Sequence, residues 1–111
     1  MATTIKTLIP RKQAEASQTA QYTANNVRAV IDTFTATNTN TVNVQFSINL
    51  VASSGTAGAD NLVLKTRTIP PGDTYLCPEM VGQVIENGGF ISTLASVSSS
   101  ITISAAGREL S

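Results

Sequence analysis

TVNVQFSINLVA, residues 41 to 52, decides the fold class. Val42, Val44, Phe46, Ile48 and Leu50 share one parity, and Asn43, Gln45, Ser47 and Asn49 share the other. Successive side chains of a β-strand point to opposite faces. This period of two therefore predicts an amphipathic strand in an antiparallel sheet, with one face in a core and one polar face.

Upstream, NVRAVIDTFTATN (26 to 38) is rich in β-branched residues, with Val27, Ala29 and Ile31 on one parity and Phe34 and Ala36 on the other. The change of phase predicts a β-bulge near Ile31 to Thr33, without which Asp32 would be forced inward. TNTN (37 to 40) suits a hairpin into the 41 to 52 strand.

Downstream, SSGTAGAD (53 to 60) reads as a small-residue loop and NLVLKTRTI (61 to 69) as a strand that turns Lys65 and Arg67 to solvent or a partner. PPGD (70 to 73) predicts a type II turn, because Pro71 sets φ at its first central position and Gly72 accepts the positive φ at the second. TYLC (74 to 77) is a further short strand ended by Pro78, and PEMVGQVIENGGF (78 to 90) is where a helical turn is expected. FISTLAS (90 to 96) and SITISAAG (100 to 107) read as two strands around a serine-rich turn.

Roughly seven or eight short strands, with turn signals every 8 to 12 residues or so, form the pattern of an antiparallel β-sandwich or jelly roll. The 111 residues suffice for one two-layer core. Residues 21–111 are assigned to that domain and residues 1–20 to an N-terminal arm or edge segment. MATTIKTLIPRK mixes Ile5, Leu8 and Ile9 with Lys6, Arg11 and Lys12 around Pro10. Two readings stand for it: a first edge strand with a frayed end, or an extended arm that orders against a neighbouring chain.

Hydrophobic residues make up 41% of the chain, whereas charged residues make up 13%, half the usual share of about 25%. Threonine, serine and asparagine cover the outside instead. Seven basic residues balance seven acidic ones, so the basic face expected of a nucleic-acid binder is missing. The first residues lack the apolar run of a signal peptide, and no stretch is long and apolar enough to span a membrane; a soluble, unprocessed chain made in a reducing cytoplasm and bound to no membrane is the expectation.

The chain contains no histidine, which removes the commonest general base and the commonest transition-metal ligand. One cysteine, Cys77, supports neither a disulfide nor a four-ligand zinc site, and it reads as a buried structural thiol beside Glu79, whose charge disfavours a thiolate. Asp60, Asp73, Glu79 and Glu86 are scattered singly and read as solvated loop acids. GTAGAD lacks the Lys-Ser/Thr of a phosphate loop. At 5% aromatic residues with no tryptophan, stacking platforms for bases or sugars are poorly supplied. The expectation is a non-enzyme with no catalytic residue, metal or cofactor.

NLVLKTRTIPPGDTYLCPEMVGQVIENGGFISTLAS, closed by SITISAAGRE, resembles small β-rich virion proteins of tailed phages, in which N(L/I), (I/L)xPG(D/E)TY, PE(M/L)VGxV and GGxIST(L/F)AS follow one another and end in (S/A)GxE. The likeness runs over about residues 19 to 109 and is nearest to capsid decoration (cement or staple) proteins of podoviruses of the epsilon-fifteen type. It rests on turn and strand punctuation, not on chemical signatures. It implies a jelly-roll-like sandwich on the capsid exterior that pairs as a homodimer and clamps neighbouring major capsid protein subunits, with no direct nucleic-acid contact. On that reading Ile5, Leu8, Ile9, Arg11 and Lys12 are the expected capsid contacts, the apolar side chains adding burial and the cations meeting carboxylates. The competing expectation is a tail, collar or head-fibre recognition module that binds a host surface glycan or another virion protein.

Overall fold

The structure, a computed structural model, describes residues 2–111. Its strands in chain order are β1 (Thr3–Gln13), β2 (Thr19–Thr23), β3 (Arg28–Asn38), β4 (Val44–Val51), β5 (Leu62–Ile69), β6 (Thr74–Tyr75), β7 (Val84–Ile85), β8 (Phe90–Ala95) and β9 (Ile101–Leu110). They form two antiparallel sheets: a larger one in the order β1-β9-β3-β6, with β7 also on β3, and a smaller one in the order β2-β8-β4-β5. The all-β sandwich expected from the period-two pattern is what the chain forms, a slab of 46 × 26 × 19 Å between Cα atoms.

The core is the set of inward parities. Ile31, Phe34, Ala36, Ile103 and Ala105 from the larger sheet face Val44, Phe46, Ile48, Ile91 and Ile69 from the smaller one, all buried. Phe34 and Phe46 meet across the layers with ring centroids 6.4 Å apart. Burial of each such side chain contributes about 1.5–3 kcal/mol.

This contact corrects the expected hairpin between β3 and β4. The two strands belong to different sheets, and residues 39–43 carry the chain from one layer to the other. Asn38 pins the corner: its buried amide donates to Val42 O (2.8 Å) and to Ile69 O (2.7 Å) at the end of β5, and its Oδ1 accepts from Asn40 N. Val42, expected to face inward, lies in this link and is 53% exposed.

The bulge expected near Asp32 is present. Ile31 pairs with Gly107 and Thr33 with Ala106, leaving Asp32 as the extra residue, exposed on the outer face. The PPGD turn is also as expected, with Gly72 at φ +78° and Asp73 N donating to Pro70 O. In residues 78–90 the chain makes overlapping turns but no helix: Met80 N donates to Cys77 O and Val81 N to Pro78 O, and then Gly82 N donates to Ile31 O and Gln83 O accepts from Ile31 N, so β3 takes the backbone groups that would continue the turn. The one helix among the described residues is the 3-10 turn Ala59–Asn61, which ends the loop read at 53–60 and takes in Asn61, read as the first residue of the next strand.

Thr3–Gln13 is an edge strand on β9, not an arm extended away from the sandwich. Ala2 and Ser111 exchange backbone hydrogen bonds of 3.0 Å, so this pairing continues to the last residue of the chain.

Candidate interaction surface

The two outer faces of the sandwich are built differently. On the smaller sheet, the outward residues Ser47 and Asn49 of β4 and Ser92 of β8 are buried beneath the chain itself. Asn49 Nδ2 donates to Gly58 O (3.0 Å) and Asn61 Oδ1 (2.6 Å), and Gln18 Nε2 donates to Asn49 Oδ1 and Ser92 Oγ. Ser47 Oγ accepts from Thr66 N, holding a bulge of β5 in which Thr66 adopts φ +43°. Val51 lies under the same cover, with Gly55 packed closely enough that a Cβ there would be 3.0 Å from Val51 Cγ1. Segment 52–61 and Gln18 therefore cover the Asn49 and Ser92 part of this face with satisfied hydrogen bonds, while Gln45 at its other end stays exposed.

Nothing in the described chain closes the outer face of the larger sheet. Its outward side chains form cross-strand rows that follow from the register: Ile5, Arg108, Val30 and Val84; then Thr7, Ala106 and Thr33; then Ser104 and Thr35; then Gln13, Thr102, Thr37 and Thr74. Neighbouring strands stand about 4.8 Å apart and successive rows about 6.7 Å apart along the strand. No buried side-chain N or O atom among the described residues lacks a partner. The hydroxyls of Thr7, Thr33, Thr35 and Ser104 have none within the described chain, so they are left to water or to a partner. Two ion pairs lie on this face: Arg28 with Glu86 at 2.9 Å beyond the first row, and a bidentate pair from Arg108 Nε and Nη2 to Asp32 at 3.1 and 3.0 Å.

The five expected contact residues divide on this framework. Ile5 is 86% exposed at the end of the first row, and Arg11 and Lys12 are exposed on β1. Leu8 and Ile9 instead belong to the core, at 4% and 0% exposure. A bulge turns both inward: Thr7 pairs with Ala106 and Ile9 with Ala105, so two residues of β1 answer one step of β9. Lys12 is engaged with Glu15 at 3.0 Å. Thr33, Thr35 and Ser104 were not anticipated as surface determinants, although the alternation T-x-T-x-T at 33, 35 and 37 opposite Phe34 and Ala36 is their signal.

All sheet edges are poor templates for another strand. β1 carries two bulges and Pro10, which has no N–H to donate; β5 carries two bulges with Lys65 and Arg67 exposed; β2 is bulged; β6 and β7 are two residues each. These features oppose strand addition at the edges and leave the open face as the broad exposed surface of the larger sheet.

The remaining polar clusters are local. Tyr22 donates its hydroxyl to Glu109, joining β2 to β9 across the end of the sandwich, and Lys6 pairs with Glu109 at 3.3 Å. Burial and then Glu109 raise the Tyr22 pKa, while the Tyr22 hydrogen bond and then Lys6 hold Glu109 below the usual carboxylate range. Arg67 lies 4.3 Å from the centre of the Tyr75 ring, and Tyr75 donates to Glu79 at 2.6 Å. Cys77 is buried, and burial, aided by Glu79, pushes its thiol up to about 12. Glu86 pairs with Arg28 at 2.9 Å. Among the described residues no three Cys, Asp or Glu side chains gather as metal ligands, and no helix is long and apolar enough to cross a membrane.

No protein-family model, no curated protein and no solved structure matches the chain.

Proposed function

We propose that this chain is a virion structural protein that decorates the outside of an icosahedral capsid and staples neighbouring major capsid subunits, docking through the open face of its larger sheet. The observation that carries the reading is the contrast between the faces: one covered in part by its own chain, the other left open, with the small side chains of Thr7, Ala106, Thr33, Thr35 and Ser104 beside a row of Ile5, Arg108, Val30 and Val84 in which Ile5 is 86% exposed. Small side chains on a sheet let another surface approach closely, and an isolated large aliphatic at the rim supplies an anchor. The likeness of residues 19 to 109 to phage decoration proteins, including its jelly-roll-like character, supports the capsid as the partner. In this role no bond is made or broken. Each copy binds only the assembled shell and stabilises it by mass action, and a copy bridging two subunits adds the effect of linked binding.

The test is uptake by DNA-filled heads stripped of decoration. The purified protein is expected to co-sediment with them in numbers comparable with the major capsid subunit and to raise the temperature at which they release DNA. An Ile5→Asp variant is expected to lose at least tenfold in affinity while remaining folded. No co-sedimentation refutes the proposal, and binding to isolated host polysaccharide in its place would make the chain a recognition module.

A further inference from the structure

We infer that the trough on the open face between β1 and β3 seats a carboxylate-bearing loop of the partner protein, with Arg11 as the cation that receives the carboxylate. This rests on the docking reading above and names the chemistry of the surface it meets. The trough has a volume of about 540 Å³ and is lined by Thr7, Pro10, Arg11, Thr33, Thr35 and Ser104, together with Ala105 and Ala106 of β9.

Its construction follows from the second bulge of β1. Ile9 pairs with Ala105 and Lys12 with Ile103, so Pro10 and Arg11 together stand against Ser104, one residue more than a regular ladder allows. A bulge re-aims side chains, and here it brings Arg11 to the trough although its neighbour Ile9 enters the core. Pro10 removes a donor from the edge, so a partner's backbone gains little from lying beside β1 and more from lying over it.

Charge selects the occupant. Of the seven lysines and arginines, Lys6, Lys12, Arg28 and Arg108 are ion-paired and Arg67 lies over Tyr75. Among the described residues only Arg11 and Lys65 have neither arrangement. Lys65 lies on the other sheet, beside the closed face. On the open face, Asp32 is engaged by two guanidinium nitrogens of Arg108 and Glu86 is paired with Arg28, so neither presents a free anion to repel an incoming acid. A guanidinium offers a planar fork that matches a carboxylate, and the surrounding hydroxyls can give or accept the hydrogen bonds that an adjoining peptide needs.

The test has two arms. In the first, the amide spectrum of the protein is followed during titration with acetyl-triglutamate amide, with the triglutamine peptide and inorganic phosphate as controls at equal ionic strength. The glutamate peptide is expected to shift residues 7–11, 33–35 and 104–106, and Arg11→Gln is expected to weaken that response at least tenfold while Lys65→Gln leaves it unchanged. No shift at the trough, an equal response to triglutamine, or an equal response to phosphate overturns the inference. In the second arm, Arg11→Glu is expected to reduce uptake by stripped heads at least tenfold and Lys65→Glu by less than twofold; unchanged uptake by Arg11→Glu overturns it. If the unaltered protein does not bind heads, the docking reading fails, and the peptide titration alone decides the trough.

Discussion

The outer faces of the two sheets carry similar residue types and have opposite fates. Ser47, Asn49 and Ser92 on the smaller sheet are buried and hydrogen-bonded to Thr66, Gly58, Asn61 and Gln18, whereas Thr7, Thr33, Thr35 and Ser104 on the larger sheet have no partner within the described chain. A hydroxyl or amide in a strand therefore does not reveal its role by its identity. What separates the two sets is whether a connection crosses above them. The segment from Ala52 to Asn61 folds back over β4, while the connections of the larger sheet run to the other layer or along β3.

The strongest challenge to this contrast lies beneath the open face. A Cβ on Gly107 would run into the Val30 carbonyl oxygen and approach Leu8 Cδ1 to 3.0 Å, at the point where the bulges of β1 and β3 flank β9. Gly107→Ala is expected to cost about 3 kcal/mol or more in urea unfolding, since backbone must move and the core-facing Leu8 must shift. A near-neutral result would mean that the close packing under the face is not needed to hold it.

Next comes the closed face. Asn49→Ala removes the donor to Gly58 O and Asn61 Oδ1 and the acceptor for Gln18, and is expected to cost about 2–3 kcal/mol, because polar groups under the cover lose partners. Its counterpart on the open face, Thr35→Ala, is expected to stay within about 0.5 kcal/mol of the unaltered protein, as a half-buried hydroxyl without a protein partner should. Equal costs at the two positions would erase the distinction drawn between the faces.

A modest, pH-dependent effect is expected at the end of the sandwich, where Tyr22 and Lys6 hold Glu109. Its folded-state pKa is lowered, so the stability it contributes is present above the unfolded carboxylate pKa of about 4.3 and is lost as the pH falls through the folded value. Glu109→Gln is expected to lower stability at pH 7 by about 1 kcal/mol or less and to show a shallower decline below about pH 4.5. A steeper decline in the variant would show that Glu109 does not link the sheets in this way.

Several parts of this were legible in the residues. The parity of Val44, Phe46 and Ile48, the phase slip at Asp32 and the Pro71-Gly72 pair are local signals whose structural meaning comes from strand alternation, bulge geometry and backbone dihedral limits. The candidate surface was legible only in part. Ile5 and Arg11 remain on the outside, but Leu8 and Ile9 enter the core through a bulge for which a short apolar pair gives no unambiguous sign.

Sequence by itself determined that the chain is of the all-β class, that its charges balance and that histidine chemistry is absent, because alternation and composition are properties of neighbouring residues and of counts. Only the tertiary structure decided that β3 and β4 face each other across the core instead of pairing, and which threonines and serines are enclosed and which are open. Those outcomes depend on contacts between residues far apart in the chain, such as Asn38 with Ile69 and Gln18 with Ser92, and a pattern confined to one strand carries no record of what lies above it.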